Sequence, residues 1–319
     1  MDRKVQIVEL DSYAANPGDL SWSDFEFLNG CQFVRYDRTP ANLTVERALE
    51  ADIVLTNKVV IDEAVMSRLP RLRYIGVLAT GYNVVDIAAA RRRGIVVTNI
   101  PAYSTMSVAQ LVFAHLLNVT QHVALYDAAV KAGEWERSDD FCFYRAPLTE
   151  LAGKTMGVVG LGNIGMAVSR IALSFGMNVL AYTSKAEVPM GITVTRSYDE
   201  LFRASDVLTL HCPLTEETYH LVNRERLALM RPSAILINTG RGPLVDEDAL
   251  CEALRLKRLG AACLDVLAQE PPLHTPQAPN LYITPHIAWA TQEARDRLLH
   301  IAAQNIRAFL DGKPQNVVS

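Results

Sequence analysis

The sequence predicts an α/β protein with two doubly wound parallel sheets, and three observations carry that expectation. The chain has 319 residues, the length of about two domains. Short apolar runs alternate with helical stretches along most of it. Near the middle, residues 155–165 read Thr-Met-Gly-Val-Val-Gly-Leu-Gly-Asn-Ile-Gly, an apolar strand entering a G-x-G-x-x-G turn.

The elements follow in order. Residues 5–10, 53–56, 74–78 and 95–98 read as strands, with helical stretches at 44–51, 61–69 and 85–93 between or beside them. Crossover helices have to pack on the sheet they bridge, so this alternation predicts a parallel sheet covered on both faces. In the central turn Gly160 permits a tight bend, and Gly162 lets backbone approach a pyrophosphate. Gly165 lets the following helix, residues 166–175, pack closely on the strand. With Asn163 and Ile164 opening that helix, its free N–H groups face the phosphates. NAD or NADP is the expected ligand. Strands resume at 178–182, 207–211, 234–238, 260–265 and 281–284, and residues 291–310 form one long amphipathic helix ending at Asp311-Gly312.

Composition narrows the function classes. Half the residues are hydrophobic and the net charge is −4, which argues against a disordered or nucleic-acid-binding chain. The basic run Arg91-Arg92-Arg93 reads as a solvated helix C-terminus. No apolar run reaches membrane-spanning length and no signal-peptide pattern opens the chain. Five cysteines, Cys31, Cys142, Cys212, Cys251 and Cys263, are scattered without metal spacing. Reduced thiols in a cytoplasm and no bound metal are the expectation.

Ligands of open α/β sheets bind beyond the carboxyl ends of the strands. Three such ends carry charge: Arg241 after residues 234–238, Asp265 and Glu270 after residues 260–264, and His286 after residues 281–284. An Arg, a Glu and a His so placed are the parts needed to reduce a 2-keto acid. The guanidinium grips the carboxylate by two bonds, the imidazolium protonates the keto oxygen, and the carboxylate orients the imidazole. Each residue taken alone has a plainer reading, as a surface charge, a turn residue or a satisfied core histidine. Among the other histidines, His115 sits in the apolar run 111–117 and reads as packing, while His211 follows a strand and is expected to line the cofactor cleft.

At these motifs the chain resembles the D-isomer-specific 2-hydroxyacid dehydrogenase family, and within it the glycerate dehydrogenase/hydroxypyruvate reductase branch. The similarity runs from Thr80-Gly-Tyr-Asn and Asp86, through Asn99-Ile-Pro, Ser104 to Ala109, the block from Asp140 to Tyr144 with Leu148 to Lys154, and Gly160 to Gly165. It continues through His211-Cys-Pro-Leu with Thr218, Asn238 to Asp246, and Asp265 to Pro271, as far as Thr284 to Ala288. The resemblance implies that Arg241 binds substrate, His286 is the acid/base and Glu270 its partner. It implies a Rossmann cofactor domain, residues 101–288, inserted into a flavodoxin-like substrate domain of residues 1–100 and 289–319. The active site is then expected in an interdomain cleft that closes by hinge motion.

By the same resemblance, the loop of Ala79, Thr80 and Gly81 offers backbone N–H groups to the substrate carboxylate. Gly81 also reads as a plain turn glycine. Lys58 approaches the far end of the substrate or is a solvated lysine. Ser104 and Val108 sit near the nicotinamide, with Asp265 accepting from its carboxamide. Cys212, Pro213 and Thr218 contact ribose and pyrophosphate, and Thr239 and Gly240 complete the cofactor set. One departure bears on the cofactor. NAD sites usually place an acid at the end of the second strand, and here Thr183 stands there, followed by Ser184 and Lys185. NADP is therefore favoured over NAD. The expected activity is hydride transfer between a nicotinamide and C2 of a small D-2-hydroxy acid/2-keto acid, hydroxypyruvate or glyoxylate first, in a cytoplasmic homodimer. The alternative is a corepressor-like, nucleotide-responsive interaction module on the same fold.

Overall fold

The computed structural model describes residues 3–26 and 28–319. The chain divides into two compact units, one of Met1–Ser104 with Trp289–Ser319 and the other of Thr105–Ala288. In the first unit, β1 (Val5–Glu9), β2 (Cys31–Arg35), β3 (Ile53–Thr56), β4 (Tyr74–Val77) and β5 (Val96–Thr98) pair in the order β2-β1-β3-β4-β5. Every pair is parallel. This is the flavodoxin-like order.

Both faces of that sheet are covered. Successive side chains on a strand point to opposite faces, and in β3 Ile53 and Leu55 enter one apolar cluster while Val54 enters the other. A strand buried on both sides reads as a continuous apolar run, which is why β3 and β4 were legible. The helix Gln292–Leu310 packs Leu298, Leu299, Ala302, Ala303 and Ile306 into the first of these clusters. Its first turn is held by Thr291, whose hydroxyl accepts from Ala294 N, and by buried Arg295, which grips Asp19 by two bonds of 2.7 and 2.6 Å.

In the second unit, β6 (Thr155–Val159), β7 (Asn178–Tyr182), β8 (Ile192–Thr195), β9 (Val207–Leu210), β10 (Ile235–Asn238), β11 (Ala261–Leu264) and β12 (Leu281–Ile283) pair in the order β12-β11-β10-β9-β6-β7-β8. All pairs are parallel. Read from β8, this is the Rossmann order with one added strand. It reverses between β6 and β9, and ligands of such sheets sit at that reversal.

Several expected elements differ at their ends. The helix expected over residues 61–69 is Glu63–Met66, because Asp62 caps it through Val65 N and Ile61 instead bridges to Val85. The helix expected over 85–93 is Ile87–Arg92, capped by Asp86 through Ala89 N. Arg92 and Arg93 at its end are not simply solvated, since both pair with Glu63. Among the described residues no single helix is long and apolar enough to cross a membrane, and no cluster of three His, Cys, Asp or Glu could hold a metal.

Candidate active site

The three fingerprint glycines have different physical reasons. Gly160 has φ +92°, and a Cβ there would lie 2.7 Å from the carbonyl oxygen of His211. A Cβ on Gly165 would lie 2.0 Å from the carbonyl oxygen of Gly160. Both are required by packing at the sheet reversal. Gly162 is different: a Cβ there would meet nothing within 4 Å. It caps the helix Asn163–Ser174 with exposed backbone and no side-chain cap, so the open space over the helix N-terminus fits a pyrophosphate.

The flanking loops fit a dinucleotide as well. Thr239 at the end of β10 buries a hydroxyl that has no partner among the described residues, an orphan that a ligand would satisfy. Thr218 organises its own loop, donating to Pro213 O at 2.8 Å and accepting from Thr215 N at 2.8 Å. His211 pairs its Nε2 with Thr209 Oγ1 at 2.9 Å. Burial pushes its imidazole down to about 3, so it is neutral at physiological pH. Burial also pushes the Cys212 thiol up to about 11, making it a poor nucleophile. At the end of β7, Thr183 is buried and Ser184 and Lys185 are exposed. The Arg196 guanidinium donates to Lys185 O at 3.0 Å, a cation beside this loop that the sequence did not single out.

The residues expected to do chemistry stand on three adjacent loops tied to one another. His286 Nδ1 lies 2.6 Å from Glu270 Oε2, and Glu270 Oε1 accepts from Leu267 N at 3.0 Å. With Nδ1 engaged, Nε2 is the nitrogen left for a substrate. Asn238, fully buried, shapes the Arg241 loop by donating to Arg241 O at 2.9 Å and accepting from Gly240 N at 3.0 Å. Its carbonyl accepts from Asp265 N at 2.9 Å, which joins the Arg241 loop to the segment carrying Glu270. Arg241 is exposed, and its guanidinium donates to Gly240 O at 2.8 Å. Gly242 closes the arrangement, because a Cβ there would lie 2.0 Å from the Leu267 carbonyl.

Asp265 is the centre of this construction. Its carboxylate, 1% exposed, accepts from the Thr284 hydroxyl at 2.6 Å, Ile287 N at 2.9 Å and Ala288 N at 2.8 Å. Its carbonyl accepts from His286 N at 2.8 Å. His286 has φ +55°, a left-handed conformation that costs a non-glycine residue on the order of 1–3 kcal/mol and persists only when its surroundings fix it. The bonds to Asp265 do so. Val108 is buried on the helix Thr105–Gln121.

In the first unit, Lys58 is exposed and follows β3 in a loop pinned by Asp11. The Asp11 carboxylate accepts from Asn57 N at 2.7 Å, Lys58 N at 2.5 Å and Val59 N at 3.2 Å. After β4, Ala79 and Gly81 are half-buried and Thr80 is exposed, its hydroxyl donating to Ile100 O at 3.0 Å. Ser104 is buried.

Comparison with known proteins gives concordant results. The family model for the D-isomer specific 2-hydroxyacid dehydrogenase NAD binding domain matches residues 113–288. The chain is similar to a hydroxypyruvate reductase of Blautia hydrogenotrophica, at 45% identity over 99% of this chain and 100% of that protein. It is similar to a glycerate dehydrogenase of Methylorubrum extorquens, at 38% identity over 100% and 99% of the two chains. Among solved structures, an NADPH-dependent glyoxylate/hydroxypyruvate reductase of Sinorhizobium meliloti in complex with NADP and malonate superposes with a TM-score of 0.83. That match has 29% identity over 100% and 97% of the chains.

Proposed function

The chain belongs to the D-isomer specific 2-hydroxyacid dehydrogenase family and is an NAD(P)-dependent oxidoreductase; on that premise we propose that it reduces hydroxypyruvate to D-glycerate and glyoxylate to glycolate. The observation that carries the reading is the 2.6 Å pairing of His286 with Glu270, tied by backbone to the loop that presents Arg241. Gly162 and the helix N-terminus behind it would hold the pyrophosphate of a nicotinamide cofactor, which would supply the hydride for C2 of the keto acid. The chain's own residues do the rest. Arg241 holds the substrate carboxylate by two charge-assisted bonds. His286 Nε2 delivers a proton to the C2 oxygen as negative charge develops there, and Glu270 keeps the ring oriented through Nδ1. Asp265 holds the His286 loop and retains an acceptor site for the nicotinamide carboxamide. Lys58, Ala79, Thr80 and Gly81 are assigned to substrate, and Ser104 and Val108 to the nicotinamide.

NADP is the preferred cofactor on this reading. Thr183 lacks the charge that would repel a 2′-phosphate, and Ser184 and Lys185 supply donors. Val123, Trp135, Phe141, Tyr144 and Leu148, all within residues 123–148, are exposed large apolar side chains, and such side chains support a homodimer. Five unpaired cysteines suit a reducing cytoplasm. The corepressor alternative has no relative among those described to support it.

Side-by-side kcat/KM values for hydroxypyruvate, glyoxylate and phenylpyruvate, each with NADPH and NADH, test the proposal. Hydroxypyruvate or glyoxylate with NADPH should lead. Phenylpyruvate as best substrate, or turnover of none, overturns the substrate assignment, and a lead for NADH overturns the cofactor preference.

A further inference from the structure

A polar network of His115, Thr284 and Asp265 backs the His286 loop. His115, buried on the helix Thr105–Gln121, places Nε2 3.2 Å from Thr284 Oγ1. The single Thr284 hydroxyl hydrogen is committed to Asp265 at 2.6 Å, so Thr284 can only accept from His115, which fixes the Nε2–H tautomer. Burial lowers the affinity of this imidazole for a second proton, with Asp265 opposing, so the ring is a neutral donor. Two turns earlier on the same helix, buried Ser107 donates to Ala288 O at 2.5 Å. One helix therefore grips both ends of the five-residue segment that holds His286 in its left-handed conformation. An apolar side chain would fill the space of His115 without an internal bond to satisfy, so packing alone does not account for a histidine here.

We propose that His115 is a positioning residue for the reduction, acting through Thr284 and Asp265 to fix where His286 delivers its proton. The inference rests on the assignment of His286 as the acid. It predicts a defect in turnover rather than in substrate binding, because buried His115 acts through Thr284 and is assigned no contact with substrate or cofactor.

The test uses His115→Leu, His115→Gln, Thr284→Val and the Leu/Val double variant, with kcat and KM for hydroxypyruvate and melting temperature measured for each. H115L should lose about tenfold in kcat, the size of one internal hydrogen bond, with KM within about twofold. H115Q, whose amide reaches the place of Nε2–H, should recover most of the loss. In the T284V background H115L should add little, because the relay is already cut. Wild-type kcat in H115L, no recovery in H115Q, or full additivity overturns the proposal. If H115L does not fold, T284V alone decides: it should lose at least as much kcat at unchanged KM, and wild-type kcat overturns the relay. His286→Ala, run in parallel, separates the two claims, since unimpaired turnover there refutes the acid assignment itself.

Discussion

Replacing Gly242 by Ala is expected to damage catalysis without removing any side chain that does chemistry. The added Cβ would stand 2.0 Å from the Leu267 carbonyl carbon and oxygen and 2.4 Å from Ala268 N, all main-chain atoms that cannot rotate away. Ordinary contact needs roughly 3.5 Å between carbons, so the Arg241 loop and the 265–270 segment must part by about 1.5 Å. Overpacking of this kind costs about 1–3 kcal/mol, a fall in melting temperature of roughly 2–12 °C for a domain this size. Arg241 precedes the altered residue and Glu270 ends the displaced segment, so the strain falls between substrate anchor and acid/base pair. A misplacement of about 1 Å can cost on the order of 10²-fold, and kcat/KM for hydroxypyruvate, measured well below the melting point, should drop by that order. Gly162→Ala is the contrast. It meets nothing within 4 Å and should melt like the wild type while losing NADPH affinity. Wild-type kcat/KM in folded G242A refutes the claim that Gly242 sets the spacing of the two loops.

Arg241→Ala should abolish useful activity and Arg241→Lys restore little, since an ammonium cannot hold a carboxylate by two parallel bonds; near-normal kcat/KM in the Lys variant removes the assigned role. His286→Ala should lower kcat by about 10²–10⁴-fold, and Glu270→Gln should add little to it because the two act as a unit; additive losses in the double variant argue against the pair. Stability should fall on acidification. The unfolded His211 imidazole takes up a proton near its ordinary value of 6.5 while the folded one stays neutral down to about 3. The unfolded state thus binds more protons in that window, and stability is present above pH 6.5 and lost as pH falls. Urea midpoints between pH 7.5 and 5 should drop by the equivalent of about 1–2 kcal/mol and drop less in His211→Gln; equal slopes refute it.

What the sequence disclosed depended on whether a residue's surroundings lie close by in the chain. Strands β3 and β7 were read residue for residue, β3 because it is buried throughout and apolar but for its last residue, and β7 because its apolar run Val179–Tyr182 stands between Asn178 and Thr183. Edge strands β2 and β8 escaped notice: Cys31–Arg35 and Ile192–Thr195 are partly exposed and mix polar with apolar residues. The helix expected over 44–51 forms only as Thr44–Ala48, since the chain turns at Leu49 to enter β3. Arg241, Glu270 and His286 stood out as candidates because three ionisable residues follow three strand ends, although each alone also has a plain structural reading. The role of His115 was not. It read as packing in an apolar run, and its partner Thr284 lies 169 residues away. Gly242 was visible as a glycine beside Arg241, but the Leu267 carbonyl that requires it is a tertiary neighbour.

The central claim is that this chain transfers hydride to C2 of a small 2-keto acid and protonates its oxygen to give a D-product. Incubation with hydroxypyruvate and NADPH or NADH carrying deuterium at the nicotinamide C4 position, followed by chiral analysis of the product, tests it most directly. D-glycerate with deuterium at C2, formed by the wild type and suppressed by at least about 10²-fold in His286→Ala, is the predicted result. L-glycerate, a product without deuterium, or undiminished transfer in His286→Ala would contradict it.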